Sequence, residues 1–208
     1  MRKSVVVGVA MTIGLTALLP STASATEGGT QTLADVLLSD SAKDDPDGFD
    51  RRWWDYDIVT QAVLLFPDLV AAAGDPNAQL TVLLPNDEAF RVLVKEITGE
   101  RVRSEADVFA AVASLGTDTV RNVLLYHIVP ASISYRDARH SDGAVLGTLL
   151  ADSSITVDVR GRWWKYVQLA DLDTNDRDPI VVDPNVGGPL VNGFAHGIDR
   201  VLRPIDLP

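Results

Sequence analysis

The sequence contains no cysteine, so a disulfide framework is excluded, and so is a metal site built from thiolates. Histidine is also scarce. Its three copies are His127, His140 and His196, and none of them belongs to an HExxH motif or another paired zinc spacing. A folded domain of this composition must therefore be held together by side-chain packing and hydrogen bonds.

Basic residues are few compared with acidic ones. The chain has 18 lysines and arginines against 29 aspartates and glutamates, which gives a formal charge of −11. Such a field repels a phosphate backbone, and we therefore expect no nucleic-acid partner. We interpret the excess of acidic residues as a feature that keeps the protein soluble.

The chain also lacks a hydrophobic run long enough to cross a bilayer. Its most apolar run, residues 5–19, is about 15 residues long, whereas a spanning helix needs ~20. This run follows a basic start and precedes an Ala-Ser-Ala site that ends at Ala25, which is typical of a secretory signal peptide. The alternative is a membrane anchor.

The sequence therefore predicts a signal peptide over residues 1–25, a flexible lead over 26–31 and one folded domain over 32–208. After cleavage no membrane span is expected. The predicted localisation is secreted, either free outside the cell or associated with its surface.

Signals for catalysis are missing from the sequence. It has no G-x-S-x-G elbow to present an activated serine, and no cofactor motif is found. His127 and His196 lie in apolar segments, where histidines more often fill the core than catalyse a reaction. An acidic pair could arise by chance on so acidic a surface. We therefore expect a protein that is not an enzyme and that binds no cofactor.

Helical signals dominate the first half of the chain. Asn86 is a good N-cap, and an apolar stripe at helical spacing follows until Gly99 can end the helix. Similar signals begin at Thr32, Pro67, Ser104 and Thr117. Residues 80–84 are predicted to form a strand.

Alternating patterns dominate the second half. Residues 155–159 alternate apolar and polar side chains, residues 163–169 follow as a second strand, and Asn192-Gly193 suggests a type I′ hairpin turn. Helices followed by hairpins predict the α+β class.

Three segments resemble the motifs of the fasciclin domain family, in the same order as in the family. They are TVLLPNDEAF (81–90), VLLYHIVP (123–130) and VNGFAHGIDRVLRP (191–204), and the match spans about 32–208. The resemblance assigns structural roles to Pro85, Asn86, Phe90, Tyr126, His127, Asn192, Gly193, His196 and Asp199.

The resemblance implies a wedge of short β-strands packed with several helices and displayed outside the cell. It also implies a non-catalytic module for adhesion or protein interaction, whose partner is an extracellular protein or a cell-envelope glycan. The alternative function is a secreted receptor for a small apolar ligand or a glycan. Residues 171–179 look like an insertion relative to the family.

One segment partly copies a calcium loop. Asp171, Asp173 and Asn175 occupy its first three ligand positions, but Asp176 stands where the loop needs glycine and Val182 where it needs a bidentate glutamate. We therefore interpret the segment as an acidic turn and predict no metal site, with weak calcium binding as the alternative.

Tryptophan occurs as two adjacent pairs, Trp53-Trp54 and Trp163-Trp164. If residues 163–169 form a strand, adjacent side chains point to opposite faces, and one tryptophan of the second pair should meet the core. Trp164 and Tyr166 then share the outer face and are the predicted partner-binding residues, since aromatic residues are enriched at binding hot spots. The alternative is that a helix or the acidic loop covers both tryptophans.

The Ala-x-Ala site leads to the first testable prediction. N-terminal sequencing of protein recovered from the medium should begin at Thr26. Recovery of residues 1–25 on protein held in a membrane fraction would contradict the secreted localisation.

Overall fold

The computed structural model describes residues 29–41 and 48–205. The predicted signal peptide (1–25) and residues 26–28 of the predicted lead lie outside the described residues. Within the lead, Gln31 already contacts the domain, because its carbonyl oxygen accepts a hydrogen bond from the Val191 N–H at 3.0 Å. Packing therefore begins at least one residue before the predicted boundary at residue 32.

The described residues form seven helices and seven short strands. The helices are α1 (Leu33–Ser41), α2 (Asp57–Leu64), α3 (Pro67–Gly74), α4 (Asp87–Thr98), α5 (Glu105–Ala113), α6 (Thr117–Tyr126) and α7 (Tyr135–Ala138). The strands are β1 (Leu80–Pro85), β2 (Ile128–Val129), β3 (Val145–Gly147), β4 (Ser154–Arg160), β5 (Tyr166–Ala170), β6 (Val181–Asp183) and β7 (Gly193–Ile198).

The strands form two sheets, one of order β2-β1-β7-β6 and one of order β3-β4-β5. β1 and β7 run parallel, in a register from Leu80 opposite Gly193 to Pro85 opposite Ile198, and the remaining strand pairs are antiparallel. Helices lie mostly in the first half of the chain and strands in the second, which confirms the predicted α+β class.

Local capping chemistry explains several helix ends. The Asn86 side chain accepts a hydrogen bond from the Ala89 N–H at 3.0 Å, and Gly99 ends α4 in the left-handed region with φ of 73°. Ser104 caps α5 in the same way. At α6 the prediction is wrong, because Gly116 is the N-cap and Thr117 is the first helical residue.

The predicted hairpin turn at Asn192-Gly193 is also wrong. Asn192 is not among the residues with positive φ, which a type I′ turn requires. The sheet partners of β7 are β1 and β6, and a single isolated bridge joins Leu190 to Gly193.

Asn192 is instead a buried structural residue. Its side chain accepts from the Leu33 N–H at 3.0 Å and donates to the Ala73 and Asp75 carbonyl oxygens at 2.7 and 3.0 Å. At Gly193, where φ is 140°, a Cβ would collide with the Leu80 carbonyl oxygen. The Asn-Gly pair thus fastens β7 to β1, α1 and α3.

Two hydrophobic clusters form the core. The first lies among α1–α6 and includes Ile58 and Phe90, and the second lies under the three-stranded sheet and includes Ile155 and Val167. Pro85 ends β1 opposite Ile198 and is buried. Phe90, as a member of the first cluster, and Pro85, by its burial, both lie in the interior.

Tyr126 and His127 connect α6 to the second cluster, and both are buried. The Tyr126 hydroxyl donates to the Ser154 carbonyl oxygen at 2.9 Å. His127 Nε2 accepts from the Leu202 N–H at 3.0 Å, so its Nδ1–H donates to the Val123 carbonyl oxygen at 2.7 Å. The ring is therefore held as one neutral tautomer.

The remaining family-motif residues also bind the backbone. The two ring nitrogens of His196 lie 2.7 and 2.9 Å from the carbonyl oxygens of Pro184 and Ile133. Asp199 accepts from the Ile180 N–H at 2.8 Å and pairs with Arg177. These contacts hold segments that are far apart in the chain.

No single helix within 29–41 and 48–205 is both long and apolar enough to cross a bilayer. Two consecutive pairs, α2 with α3 and α5 with α6, reach that length and apolarity only when counted together, and they bend by 110° and 104° at their breaks.

Burial of His127 yields a stability prediction. Replacing it with alanine leaves the Leu202 N–H without its acceptor, at a cost of about 1–3 kcal/mol at neutral pH. Thermal unfolding should report this loss. His140→Ala is the matched control, because His140 makes the same contact with the carbonyl four residues earlier at 2.7 Å but is exposed. Equal melting of the two variants would contradict the core role.

The same residue predicts a pH dependence. Burial lowers the pKa of His127 from 6.5 to about 4, so between these values the unfolded chain binds a proton that the folded protein does not. The wild type should lose up to roughly 3 kcal/mol relative to His127→Ala as the pH falls from about 6.5 to about 4. Denaturant titrations across this range measure the difference, and a constant difference would refute the assignment.

Candidate functional site

The turn that joins β4 to β5 carries an exposed group of aromatic residues. Trp163 is 83% exposed, Trp164 is 90% exposed and Tyr166 is 40% exposed. We call these three residues the aromatic tip. Proteins rarely leave such large apolar surfaces in water, so this group stands out as a candidate contact surface.

Two expectations for this segment are wrong. β5 begins at Tyr166 and not at Trp163, so neither tryptophan meets the core. The alternative that a helix or the acidic loop covers both is contradicted by their exposure. The physical reason is that Val167 and Leu169 already fill the inner face of β5, which leaves the tryptophans beyond the end of the strand.

The backbone holds the turn in a defined shape. Tyr166 is opposite Arg160 in the β4–β5 register, so the two strands close around residues 161–165. Gly161 has a φ of 89°, and a Cβ on it would collide with the carbonyl oxygen of Trp164. Glycine is thus needed where the chain doubles back to present the tryptophans.

Positive charge surrounds the aromatic tip. Residues 159–170 contain Arg160, Arg162 and Lys165 but no acidic residue. The Arg162 guanidinium lies 5.5 Å from the centroid of the Trp163 ring, within cation–π range, and Arg160 pairs with Asp158 at 2.5 Å. A basic, aromatic turn thus projects from a chain whose formal charge is −11.

The other tryptophan pair has a different setting. Trp53 is half-buried beneath the Arg91 guanidinium, which lies 4.2 Å from its ring centroid. Its carbonyl oxygen accepts from the Glu88 N–H at 2.8 Å. Trp54 is 76% exposed. Its neighbour in the chain, Trp53, is half-buried, so this pair does not form an exposed aromatic group like the aromatic tip.

In the segment that resembles a calcium loop, the carboxylates of Asp171 and Asp173 contact N–H groups and a guanidinium of the protein itself. Asp171 accepts hydrogen bonds from the N–H groups of Asp173 and Arg203, and Asp173 pairs with the buried Arg203 guanidinium at 3.0 Å. The Asn175 N–H donates to Asp173 at 3.2 Å. These contacts favour the interpretation as an acidic turn.

A buried group of carboxylates was missed by the sequence analysis. Asp57, Asp87 and Glu105 are the first residues of α2, α4 and α5, and all three are buried. Asp50 and Asp55 lie beside them and are partly exposed. We call these five residues the carboxylate cluster.

Burial dominates the electrostatics of the carboxylate cluster. It raises the pKa of Asp55 from 3.8 to about 6 and holds that of Asp87 far above its usual range. A side-chain hydrogen bond between the two carboxyls raises the pKa of Asp87 further and opposes the rise in the pKa of Asp55, to which repulsion from Asp50 adds. The negative charge of this cluster is therefore unfavourable in the folded protein.

The described part of the protein contains small apolar cavities and a larger groove. Two apolar cavities, one beside Phe90 and His127 and one between Leu33 and Ala195, have volumes of about 30 Å³ each. Ligand pockets usually measure roughly 300–1,000 Å³. A groove of about 310 Å³ between α1 and residues 54–56 is lined in part by Asp55 and reaches the carboxylate cluster.

Comparison with known proteins identifies the family of this chain. A model of the Fasciclin domain matches residues 57–204. The fold is similar to a solved FAS1 domain pair from the insect cell adhesion molecule fasciclin I, with 18% identity and a TM-score of 0.47. That alignment covers 71% of this chain and 43% of the domain pair, so this chain spans less than half its length. No curated protein matches the chain.

The turn geometry leads to a prediction about Gly161. Alanine there should cost about 1–2 kcal/mol for its positive φ, and more because its Cβ meets the Trp164 carbonyl. Gly143→Ala is the control, since Gly143 has a φ of 78° but open space around its Cβ position. Denaturant unfolding should show the larger loss for Gly161→Ala, together with altered tryptophan emission. Equal losses in the two variants would mean that the turn is not held as described.

Proposed function

Because this chain belongs to the fasciclin domain family, we propose that it is a non-catalytic interaction module that acts outside the cell. The aromatic tip is the surface through which it binds its partner. The observation that carries this proposal is the exposure of Trp163 and Trp164 on a turn of fixed shape. The secreted location rests on the predicted signal peptide.

Two physical features favour binding through the aromatic tip. The two indole rings expose large apolar areas, which become favourable when a partner removes them from water. Gly161 and the paired strands β4 and β5 fix the backbone before binding, so less conformational entropy is lost on contact. The same features describe interface hot spots, which are rich in tryptophan, tyrosine and arginine.

The charge around the tip favours a negatively charged partner. Arg162 and Lys165 lie beside the exposed rings, whereas Arg160 is paired with Asp158 and the chain as a whole repels anions. A cell-envelope glycan with acidic groups fits both features, because sugar rings offer apolar faces to indoles and acidic groups to the basic side chains. An extracellular protein with an acidic, apolar patch is the second candidate.

The buried histidines support a function without a reaction. The ring nitrogens of His127 and His196 all contact backbone groups, so neither ring is free to activate a nucleophile. The two apolar cavities of about 30 Å³ are too small for an apolar ligand, and the groove of about 310 Å³ is lined in part by Asp55, which weighs against the alternative of a receptor for a small apolar ligand.

Binding to isolated cell envelope tests the proposal. The double variant Trp163→Ala/Trp164→Ala should bind about 10- to 100-fold more weakly than wild type, as expected when hot-spot tryptophans are removed. Trp54→Ala is the matched control, because Trp54 is also exposed but lies outside the aromatic tip. Co-sedimentation of purified protein with envelope, before and after removal of its glycans, measures both the affinity and the partner class.

Two results would contradict the proposal. One is unchanged binding by a folded double variant. The other is an equal loss of affinity in Trp54→Ala, which would show that exposed indoles bind the envelope nonspecifically. Added salt should weaken binding if Arg162 and Lys165 contribute as described.

A further inference from the structure

His196 is a buried titratable residue whose charge state follows from its two hydrogen-bond partners. It is 3% exposed, its Nδ1 lies 2.7 Å from the carbonyl oxygen of Pro184, and its Nε2 lies 2.9 Å from that of Ile133. Both distances are hydrogen-bond lengths, and a carbonyl oxygen can only accept. Each ring nitrogen must therefore carry a hydrogen if both contacts are hydrogen bonds.

A neutral imidazole cannot make both of these bonds. It has an N–H at one nitrogen and a lone pair at the other, and a lone pair is repelled by a carbonyl oxygen at such a distance. The positively charged imidazolium is the form with an N–H at each nitrogen. The contacts of His196 with Pro184 and Ile133, which we call the His196 bridge, are therefore those of the charged ring.

His127 provides a comparison within the same protein. It is also 3% exposed, but its Nε2 accepts from the Leu202 N–H while its Nδ1–H donates to the Val123 carbonyl oxygen. One donor and one acceptor suit a neutral ring, and burial lowers the pKa of His127 from 6.5 to about 4. Equal burial with different partners thus favours opposite charge states in His127 and His196.

Two aromatic rings lie against His196 and favour its charged form. The Phe194 ring is stacked on the imidazole with a centroid distance of 6.0 Å and an interplanar angle of 14°, and the Tyr135 ring meets it at 6.3 Å and 60°. The face of an aromatic ring attracts a cation at about this distance. Together with the two carbonyl dipoles, these rings replace part of the hydration that a buried charge loses.

The elements packed around the ring contain few other charges. β1, β2 and β7 have no charged residue besides His196, whereas the charged residues of β6 and α7 are Asp183, Arg136, Asp137 and Arg139. The Asp183 carboxylate accepts from the Tyr56 hydroxyl at 3.5 Å, and that of Asp137 accepts from the N-cap hydroxyl of α7. The Arg139 guanidinium lies 5.9 Å from the Tyr135 ring centroid. Among the contacts of the described residues, both nitrogens of His196 thus face carbonyl oxygens and neither faces a carboxylate.

We propose that the His196 bridge is a pH-sensitive switch, closed when the ring takes a second proton from the solvent and half open when that proton is lost. The closed bridge joins β7 to the loop after β6, through Pro184, and to the segment before α7, through Ile133. Loss of either ring proton removes one of these two links. Acid therefore closes the bridge, which is the opposite of its effect on the neutral ring of His127.

The switch acts on segments outside the aromatic tip. Val186 and Gly187 follow Pro184 in the chain and line the groove beside α1. Release of the Pro184 carbonyl would loosen this wall of the groove, and release of the Ile133 carbonyl would loosen the start of α7. The inference is independent of the proposed function, since no residue of the tip takes part in the bridge.

NMR spectra of the imidazole nitrogens test the charge state in the wild-type protein. At pH 5.5, His196 should show two ring N–H groups and His127 one. His140→Gln removes the signals of the exposed histidine and so identifies those of the two buried rings. A neutral His196 ring with a single N–H at this pH would overturn the proposal.

Amide hydrogen exchange in the wild type tests the switch itself. The N–H groups of Ile133 and Val186, at the two ends of the bridge, donate hydrogen bonds of 2.8 and 3.0 Å. Between pH 5.5 and 8.5, protection corrected for the intrinsic exchange rate should fall about 3- to 10-fold at one of them, as expected for one lost hydrogen bond. The Val157 N–H in the three-stranded sheet, bonded at 2.8 Å, is the control and should keep its protection. Unchanged protection at both Ile133 and Val186 would overturn the switch.

A variant shows whether His196 is the titrating group. The amide of His196→Gln has a single nitrogen and cannot place an N–H at both carbonyl oxygens, so its bridge should be half open at every pH. At pH 5.5 it should show the reduced protection that the wild type shows at pH 8.5, with no further pH dependence.

His140→Gln is the matched control for this variant. His140 is exposed and lies outside the bridge, so its replacement should leave the wild-type pH dependence unchanged. A pH dependence that persisted in His196→Gln would assign the switch to another group and overturn the proposal. If His196→Gln failed to fold, the ring spectra and the exchange of the wild type would decide.

Discussion

The buried amide of Asn192 is the contact on which the arrangement of the fold depends. It satisfies backbone groups at the start of α1 and at the end of α3, while the next residue begins β7. β7 then runs parallel to β1, more than a hundred residues earlier in the chain. Without this amide, the buried Leu33 N–H would lose its acceptor and the Ala73 carbonyl would lose a donor, and the central sheet would lose one of its ties to the helices.

The parts of the fold that sequence predicts well depend on a few adjacent residues. Asn86 caps α4, Pro67 opens α3 and Gly99 ends α4, because each effect is set by local backbone chemistry. Asn192-Gly193 shows the limit of this reasoning. The pair has the composition of a hairpin turn, but its hydrogen bonds reach residues more than a hundred positions away, which no local pattern reveals.

The two candidate sites were predictable to different degrees. Trp164 and Tyr166 could be named from sequence as exposed aromatics, although the start of β5 was misplaced, because strand ends depend on which residues the core accepts. Asp87 and Glu105 carry a sequence signal that fits ordinary helix N-termini equally well. Only the packing of α2, α4 and α5 brings them together, and that packing is a property of the whole fold.

The architecture separates the two sites. The aromatic tip extends from strands over the second hydrophobic cluster, whereas the carboxylate cluster joins helices that pack around the first. Tyr126 and His127 link α6 to β4 and to the segment after β7 through hydrogen bonds from buried positions. The aromatic tip and the carboxylate cluster therefore share no residue and are connected through the buried core.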